Sequence, residues 1–335
     1  MLCKSGVLRR NGVLGISLAC AMLLAACTIG SVGVSDPASP APTASATTLP
    51  PFSHVFVIVL ENEGADAILG NAAAPYINSL AAQYGVALRA YAITHPSLPN
   101  YIALTSGGTA NFEGTDCSVD ASVCHVSGNQ TNIADEIEAS GRTWAAYMES
   151  MPQPCGLDNT DLYAVRHNPF VYYDDIRDGS NDRCATHDLP YNVGRFQQAL
   201  MSGSVPDFVW ITPNLCNDGH DACGGDPIAH SDAWLQQNVP PVLASAAFQH
   251  NGVLFITWDE GSDSAACCGL ASGGGRVATL VISPLGKSMY QSSQPYSHYS
   301  LLRTIEDSWR LGELNNTNPA TQPGTNAMDD FFTSP

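Results

Sequence analysis

Basic residues are scarce in this sequence of 335 residues, which has 13 lysines and arginines against 31 aspartates and glutamates. The formal net charge at pH 7 is −18. A chain of this charge repels nucleic acids and anionic membrane surfaces at long range, which excludes nucleic acid as a partner. If the protein acts on a phosphorylated compound, metal ions and helix N-termini must supply most of the local positive charge.

The sequence also lacks an apolar run long enough to span a bilayer, because its longest apolar run covers only residues 13–26. Three basic residues precede this run, and Cys27 follows it directly in the context Leu-Ala-Ala-Cys. The pattern is typical of an export signal and resembles the bacterial lipoprotein box, which implies that Cys27 becomes the lipid-modified first residue. Ordinary secretion with an incidental Cys27 is the alternative. We therefore predict an exported protein, either extracellular or held at the cell envelope by a lipid anchor.

This interpretation of the N-terminus divides the chain into three parts. We predict a signal peptide over residues 1–26, then a lipidated cysteine and a tether rich in Pro, Ala, Ser and Thr over residues 27–50. Residues 51–335 have the length of one large domain and contain no internal repeat. Loss of the signal removes three basic residues and no acidic ones, so the mature chain has a formal charge of −21.

No CxxC spacing occurs among the 11 cysteines, which disfavours a cysteine metal cluster. The predicted domain contains eight of them, and an even number in an exported protein predicts disulfide bonds. The local choices of partner are Cys117–Cys124, Cys155–Cys184 and Cys216–Cys223. The fourth pair would join Cys267 to Cys268, and it is the least favoured because a bridge between adjacent residues is strained.

Short apolar runs alternate with helical patterns through the predicted domain. Strands are predicted at residues 54–60, 86–93, 143–148, 207–211, 253–258 and 277–282. Helices are predicted at residues 101–104, 132–139, 232–248 and 300–311. Strands this apolar are covered on both faces, so we expect an α/β fold with a largely parallel sheet between layers of helices.

Polar residues cluster at the carboxyl ends of the predicted strands, where such sheets place their sites. Glu61 and Asn62 follow the first strand, and Asp259 and Glu260 follow the strand at 253–258. Each pair alone is more often a strand end that reaches water. Together they offer hard oxygen ligands for a divalent cation, because neighbouring parallel strands bring their ends within a few ångströms. The sequence therefore predicts a divalent metal ion and leaves its identity open.

Ser97 lies in the segment Thr-His-Pro-Ser-Leu-Pro-Asn-Tyr of residues 94–101, between two prolines that restrict the backbone. A helix is predicted just after it, and a hydroxyl held at a helix start faces an environment that favours anions. In one interpretation Ser97 is a nucleophile. In the other it is an ordinary helix cap, since serine favours that position. The residues alone leave both interpretations open.

A few histidines and one arginine stand apart from the rest. His220 lies between two aspartates, one of them Asp218, and such neighbours bind metals or set the protonation of an imidazole. His298 opens the last predicted helix, and His167 follows Arg166 directly. Arg166 is one of few cations available to a phosphate, with pairing to a surface carboxylate as the alternative.

Five ordered motifs span most of the predicted domain. They are Glu-Asn at 61–62, Thr-His-Pro-Ser-x-Pro-Asn-Tyr at 94–101, Pro-Asn at 213–214 with Asn-Asp-x-His-Asp at 217–221, Thr-Trp-Asp-Glu at 257–260 and Ser-His-Tyr at 297–299. Together they resemble the bacterial phosphoesterase family, which includes non-specific phospholipases C and acid phosphatases. The resemblance covers residues 52–312. It implies a three-layer sandwich similar to alkaline phosphatase, with a mostly parallel central sheet.

The resemblance also implies roles for individual residues. Ser97 corresponds to the Ser or Thr nucleophile of the family. The implied metal ligands are Glu61, Asn62, Ser97, Asp259 and Glu260. Tyr101 stands where the phospholipases carry arginine, and the Asp-His that they tend to carry shortly after the Asp-Glu pair is missing. Both departures favour a phosphatase over a phospholipase C, and they leave the number of metal ions open.

We predict that a Ser97 alkoxide, held at the cation, attacks the phosphoryl group in line, and that water then hydrolyses the phosphoserine. His220 is the predicted acid for the leaving oxygen or base for the water, with His298 as a further catalytic histidine. The predicted contacts of the substrate phosphate are Arg166, His167 and Asn100. A second metal position at Asp218, His220 and His298 stays open.

The function predicted from these features is hydrolysis of phosphate monoesters, either small molecules or lipids such as phosphoinositides, by an exported acid phosphatase. One alternative is a phospholipase C that cuts phosphodiesters. The other is a lipoprotein that binds a metal or a phosphorylated ligand without turnover, for which Ser97 would be dispensable. The rigid position of Ser97 favours an enzyme, since a binding protein has no need of it.

Overall fold

The central strands are buried over their whole length, as their apolar sequences predict. In the computed structural model, which describes residues 49–119, 122–179, 182–271 and 273–333, β1 (Val55–Leu60) and β6 (Val253–Trp258) bury all six of their residues. The other strands are β2 (Gly85–Tyr91), β3 (Trp144–Met148), β4 (Asp188–Pro190), β5 (Phe208–Thr212), β7 (Arg276–Ile282), β8 (Tyr290–Ser292) and β9 (Tyr296–Ser297). Each of the six predicted strands is present, with bounds that shift by two residues or fewer.

The described strands form one sheet with the order β4-β3-β5-β1-β6-β7-β2-β8, and β9 pairs with the far end of β2. All pairs are parallel except β6–β7 and β7–β2. Because β7 is antiparallel to both of its neighbours, β2 runs in the same direction as β1, β5 and β6. The carboxyl ends of these four strands therefore reach the same edge of the sheet, including the strand that leads to Ser97.

Helices cover the sheet in two groups. The helices are α1 (Ala65–Ile68), α2 (Pro75–Gln83), α3 (Ser97–Ser106), α4 (Ile133–Ala139), α5 (Asp174–Arg177), α6 (Arg183–His187), α7 (Val193–Ser202), α8 (Pro227–Ala244), α9 (Ala246–Gln249) and α10 (His298–Trp309). In one group α3 packs against α4 and α10, and in the other α8 packs against α2, α7 and α9. This arrangement agrees with the predicted sandwich of helices, sheet and helices.

Two predicted helices begin four or five residues earlier than their apolar patterns indicate. The helix expected from residue 232 begins at Pro227, because the side chain of Asp226 accepts a hydrogen bond from the Ile228 amide and caps it. It ends at Ala244, and Ser245 caps the separate short helix α9. The helix expected from residue 101 begins at Ser97, so that the proposed nucleophile lies inside the helix rather than before it.

The predicted signal peptide, Cys27 and nearly all of the predicted tether lie outside the described residues. Residues 49–333 belong to one compact unit. Every helix in the described ranges is too short or too polar to cross a membrane.

Four disulfide bonds are present in the described part of the chain. Three of them are the predicted local pairs Cys117–Cys124, Cys155–Cys184 and Cys216–Cys223. The fourth joins the adjacent residues Cys267 and Cys268, which was the least favoured pair. The predicted disulfide pairing is therefore confirmed.

Loss of the Cys155–Cys184 bond should destabilise the fold more than loss of a shorter loop. This bond closes a separation of 29 residues, and in the loop-entropy model it is worth about 3–4 kcal/mol. Replacing both cysteines with serine should lower the free energy of unfolding in urea by that amount. The matched control is the double serine variant of Cys117 and Cys124, whose separation is seven residues and whose expected loss is about 1 kcal/mol smaller. A larger loss in the control would contradict the prediction.

The helix α10 carries a fully buried carboxyl group, Glu306, whose Oε1 accepts a hydrogen bond from the Leu314 amide at 3.1 Å. Burial raises the pKa of Glu306 from an ordinary value of 4.5 to about 8. A group whose pKa is raised on folding contributes stability that is complete below its unfolded-state pKa. That contribution is lost as the pH rises through the folded-state pKa. The protein should therefore lose stability between about pH 4.5 and pH 8 through this residue.

Glu306→Gln tests this pH dependence, because glutamine stays neutral and still offers an acceptor to the Leu314 amide. At pH 8 we expect the variant to be more stable than the unmodified protein by about 1–3 kcal/mol, and at pH 4 the two should be equal. Urea unfolding at both pH values measures the difference. Parallel pH profiles for the two proteins would show that Glu306 is not held neutral by the fold.

Candidate active site

Two carboxylates meet at the carboxyl edge of the sheet because β1 and β6 are neighbours in parallel register. Leu60 pairs with Trp258, so Glu61 and Asp259 leave the two strands at the same level. The Asn62 amide donates a hydrogen bond to Asp259 Oδ1 at 3.0 Å, and both carboxylates are fully buried. The prediction that neighbouring strands bring these ends together is confirmed.

Ser97 lies at the first position of α3 and is 3% exposed. Its hydroxyl donates a hydrogen bond to Glu61 Oε2 at 3.0 Å. Pro96 occupies the cap position, and the Leu98 amide in the first turn is bound by the carboxylate of Asp116 at 2.9 Å. The interpretation of Ser97 as a helix cap is therefore wrong, because its side chain faces a buried carboxylate and not a backbone amide.

His167 and Asp218 complete the buried centre of the site. His167 Nε2 lies 3.2 Å from Glu61 Oε1, and Nδ1 lies 3.4 Å from Asp218 Oδ2. The backbone of Asp218 is held in turn by the strand end, since its carbonyl accepts a hydrogen bond from the Glu61 amide at 2.8 Å. The 3₁₀ turn Val165–His167 thus places an imidazole between two carboxylates that come from distant parts of the chain.

His220 and Arg166 lie at the outer side of this centre. Arg166 Nη2 donates to His220 Nε2 at 2.9 Å, so the ring proton is on Nδ1, which lies 2.8 Å from Asp221 Oδ1. Arg166 Nε also lies 3.5 Å from Asp116 Oδ2. Within the described ranges, no other lysine or arginine contacts a residue of this site.

The electrostatics of the centre are those of crowded, buried acids. Burial raises the pKa of Glu61 well above its usual range, and the carboxylates of Asp259 and Asp218 raise it further. Burial also raises the pKa values of Asp218 and Asp259, and it lowers the pKa of His167, which is therefore a neutral imidazole. Such a cluster is unfavourable as it stands, because like charges repel and buried charges lose their hydration.

These residues fit a divalent metal ion. Three buried atoms of the centre have no hydrogen-bond partner among the described residues, namely Asp218 Oδ2, Asp259 Oδ2 and His167 Nε2. The last of these lies close to Glu61 Oε1, but the two atoms do not have the geometry of a hydrogen bond. Glu61, His167 and His220 also offer ligand atoms that lie within 4.8 Å of one another. Carboxylate oxygens and neutral imidazoles are metal ligands, and a cation would offset the repulsion among the acids.

One predicted phosphate contact, Asn100, is wrong. Its side-chain oxygen accepts hydrogen bonds from the Ile93 and Thr94 amides at 2.9 and 3.1 Å. Its amide group donates to the carbonyls of Thr94 and Pro96 at 2.8 and 3.1 Å, and the residue is fully buried. No donor remains for a substrate. Asn100 instead fixes the backbone of the segment that leads to Ser97.

One predicted ligand and one predicted histidine have other partners. Glu260 Oε2 lies 2.6 Å from His95 Nδ1, which pairs it with the residue two positions before Ser97. His298 Nε2 donates to the backbone carbonyl of Asp259 at 2.6 Å, and burial lowers the pKa of His298 to about 4. His298 thus stabilises the backbone at the end of β6. In the described structure it makes no hydrogen bond to the other predicted second-metal residues, Asp218 and His220.

The side chain of Asn62, a further predicted ligand, makes no hydrogen bond within the described ranges, and only its backbone amide contacts Asp259. Its positive φ of 60° is the conformation in which the chain turns away at the end of β1. The site therefore brings together Glu61, Ser97, Arg166, His167, Asp218, His220 and Asp259. Asn62 and Glu260 lie beside it.

Three further residues belong to the site and were missed by sequence reasoning. The Tyr101 hydroxyl donates to Glu61 Oε1 at 2.6 Å, and its position four residues after Ser97 on the same helix was the available signal. Glu149 follows β3 at the same edge, and its Oε2 accepts from the Asn214 and Asn217 groups that hold the loop before Asp218. Asp116 has no local pattern that indicates its role.

Comparison with known proteins places this geometry among phosphate-ester hydrolases. Residues 69–312 match the Phosphoesterase family. The chain is 30% identical over 282 residues to a phosphatidylinositol-3-phosphatase of Mycobacterium tuberculosis, covering 83% of this chain and 84% of that protein. It is 28% identical over 275 residues to a probable acid phosphatase of Kluyveromyces lactis, covering 78% of this chain and 59% of the relative. The chain thus spans less than two thirds of the fungal protein.

Solved structures with the same fold share little sequence with this chain. A protein of the alkaline phosphatase superfamily from Vibrio parahaemolyticus has a TM-score of 0.55 at 12% identity, over 79% of this chain and 69% of its own. Murine ectonucleotide pyrophosphatase/phosphodiesterase 5 has a TM-score of 0.53 at 11% identity, over 78% and 96%. At this identity the comparison bears on the fold alone, and it confirms the predicted alkaline-phosphatase-like sandwich.

Proposed function

We propose that this protein cleaves phosphate monoesters through a phosphoserine at Ser97 with the help of a divalent cation. The chain belongs to the phosphoesterase family and is a phosphoric ester hydrolase. The observation that carries the proposal is the hydrogen bond from the Ser97 hydroxyl to Glu61 Oε2 at 3.0 Å. A buried serine beside a cluster of unsatisfied acids and imidazoles has the surroundings of a nucleophile.

The proposed cation is held by the carboxylates of Glu61, Asp218 and Asp259 and by the imidazoles of His167 and His220. When bound, it supplies Lewis-acid polarisation of a phosphoryl oxygen and favours ionisation of a nearby hydroxyl. Asn62 and Glu260, which the family resemblance implies as ligands, stay proposals for this role, since each lies next to a residue of the cluster. The identity and number of the ions are left to experiment.

In the proposed reaction, the Ser97 oxygen attacks phosphorus and its proton passes to Glu61 Oε2, the acceptor that it already faces. The bond between phosphorus and the leaving oxygen breaks, and that oxygen takes a proton from a solvent water at the outer side of the site. His220, the acid predicted for this step, is not suited to it here, because its Nε2 accepts a hydrogen bond from Arg166 and carries no proton. Arg166 binds the phosphoryl oxygens, because its guanidinium is partly exposed and presents donors in a planar fork. Water then attacks the phosphoserine and releases phosphate.

We further propose that the protein acts outside the cytoplasm on small or lipid phosphate monoesters. Four disulfide bonds support export, because such bonds persist in oxidising compartments. The name of the mycobacterial relative, a phosphatidylinositol-3-phosphatase, puts phosphoinositides among the proposed substrates. The lipid anchor at Cys27 stays a prediction.

Phosphate release from a panel of esters tests the proposed function. The panel contains p-nitrophenyl phosphate, glycerol phosphate and phosphatidylinositol 3-phosphate as monoesters, and bis(p-nitrophenyl) phosphate as a diester, each with and without EDTA. We expect turnover of monoesters that EDTA abolishes. Preferential cleavage of the diester would assign the chain to the phospholipases C instead. Metal binding without turnover of any ester would assign it to non-catalytic binding.

A further inference from the structure

One turn of α3 carries the nucleophile together with two residues that hold its surroundings. Ser97, Asn100 and Tyr101 are spaced at i, i+3 and i+4, so they lie on one face of the helix. Asn100 uses its whole side chain on the backbone of residues 93–96, which immediately precede Ser97. Tyr101 reaches the opposite side of the serine, where Glu61 lies.

The two carboxylate oxygens of Glu61 accept hydrogen bonds from two different residues of this face. Its Oε2 accepts from the Ser97 hydroxyl at 3.0 Å, and its Oε1 accepts from the Tyr101 hydroxyl at 2.6 Å. His167 Nε2 is 3.2 Å from Oε1 but makes no hydrogen bond to it. Tyr101 is thus the donor that determines the rotation of this carboxyl group, because a terminal carboxylate torsion has only a broad intrinsic preference.

The Tyr101 ring is itself fixed. It is fully buried, and it stacks on His167 with ring centroids 5.4 Å apart and planes at 9°. Trp210 of β5 packs against the same ring, with centroids 6.2 Å apart and planes at 56°. A phenol is also suited to this position chemically. It donates a hydrogen bond without bringing a positive charge, so Glu61 keeps its full charge for a cation, which a lysine or arginine here would neutralise.

We propose that Tyr101 is a positioning residue of the active site, which holds the Glu61 carboxylate so that Oε2 stays directed at Ser97. The proposal rests on the function proposed above. Without the hydroxyl, Oε1 becomes a buried acceptor with no donor, and the carboxylate is free to rotate away from the serine. Both metal affinity and the rate of the chemical step then fall, while binding of the substrate through Arg166 does not change.

Tyr101→Phe tests the proposal, because it removes the hydroxyl and keeps the ring that stacks on His167. The matched control is Tyr173→Phe. Tyr173 is equally buried and its hydroxyl also bonds to α3, to the Thr105 hydroxyl at 2.7 Å, but at the end of the helix away from Ser97. Both variants should unfold within about 3 °C of each other, which shows that any functional difference is not a difference in folding.

The two variants are expected to differ in Mn²⁺ affinity and in kcat. Mn²⁺ affinity, measured by calorimetric titration of the metal alone, should fall by about 10-fold or more in Tyr101→Phe and stay unchanged in Tyr173→Phe. With p-nitrophenyl phosphate, kcat should fall by about 10- to 100-fold in Tyr101→Phe while KM changes little. Adding Tyr101→Phe to Glu61→Gln should cause no further loss, because the hydroxyl acts through Glu61.

The proposal is overturned if Tyr101→Phe matches Tyr173→Phe in both Mn²⁺ affinity and kcat, or if its effect adds fully to that of Glu61→Gln. Failure of the proposed function has a different signature. In that case the unmodified protein releases no phosphate from any monoester, while the difference in Mn²⁺ affinity between the two tyrosine variants persists and still supports the positioning role.

Discussion

Ser97→Ala is expected to lower the rate of phosphate release from a monoester by several orders of magnitude, on the order of the 10⁶ found when a hydrolase loses its nucleophile. The hydroxyl is buried and faces Glu61, and among the described residues the phenol of Tyr101 is the only other hydroxyl that bonds to that carboxylate. The variant should fold and bind metal, because Ser97 does not cap the helix and its loss removes one hydrogen bond worth about 1–3 kcal/mol.

Ser106→Ala is the matched control for this substitution. Ser106 is also buried on α3, and its hydroxyl donates to the carbonyl of Ile102 at 3.0 Å, a full helix length from Glu61. It should cost about 1 kcal/mol of stability and leave turnover essentially unchanged. Acid quench and mass spectrometry of the unmodified enzyme should place a phosphoryl group on the peptide that contains Ser97. Retention of more than about a tenth of normal turnover by Ser97→Ala would instead indicate that water attacks the substrate directly.

Asp259→Asn should weaken binding of the divalent cation by about 10-fold or more and lower turnover accordingly. The substitution is conservative for the fold, because an asparagine oxygen can still accept the hydrogen bond that the Asn62 amide now donates to Oδ1. What it removes is the negative charge and the oxygen Oδ2, which has no hydrogen-bond partner in the described part of the chain. Calorimetric titration with Mn²⁺ and activity after dialysis against EDTA measure the two effects.

Asp232→Asn separates loss of a metal ligand from loss of a buried aspartate. Asp232 is also buried, and its two oxygens accept hydrogen bonds from the Tyr76 and Ile77 amides at the start of α2, and among the described residues it makes no hydrogen bond to a member of the site. Its substitution should lower stability and leave Mn²⁺ affinity unchanged. If the unmodified protein contains no metal and keeps full activity after prolonged chelation, the acidic cluster has been assigned the wrong role.

The excess of acidic residues in the chain has a direct consequence for binding at this site. Glu61, Asp218 and Asp259 are buried together, with Arg166 as the one described lysine or arginine in contact with the site. Binding of a phosphate monoester, itself an anion, would be strongly opposed here by charge alone. The same scarcity of basic residues from which we predict that nucleic acid is not a partner thus makes the proposed activity depend on a cation.

The sequence by itself determined the strands, the edge of the sheet that carries the site and the disulfide pairs. Runs such as Val55–Leu60 are short, rich in β-branched residues and apolar at every position, which is typical of a strand covered on both faces. Glu61 and Asp259 follow such runs, so their place at the carboxyl edge depends only on strand direction. The cysteines pair with near neighbours in sequence, so their separations alone indicated the partners.

Only the tertiary structure decided which groups each polar side chain meets. Asn100 and Tyr101 are adjacent in sequence, yet one is bound to backbone and the other to Glu61, because successive side chains of a helix point in directions about 100° apart. His298 and Glu260 belong to family motifs, but packing gives them the Asp259 carbonyl and His95 as partners. Periodicity specifies which positions are buried. The partner of a buried polar group depends on contacts between residues far apart in the chain, and no local pattern contains that information.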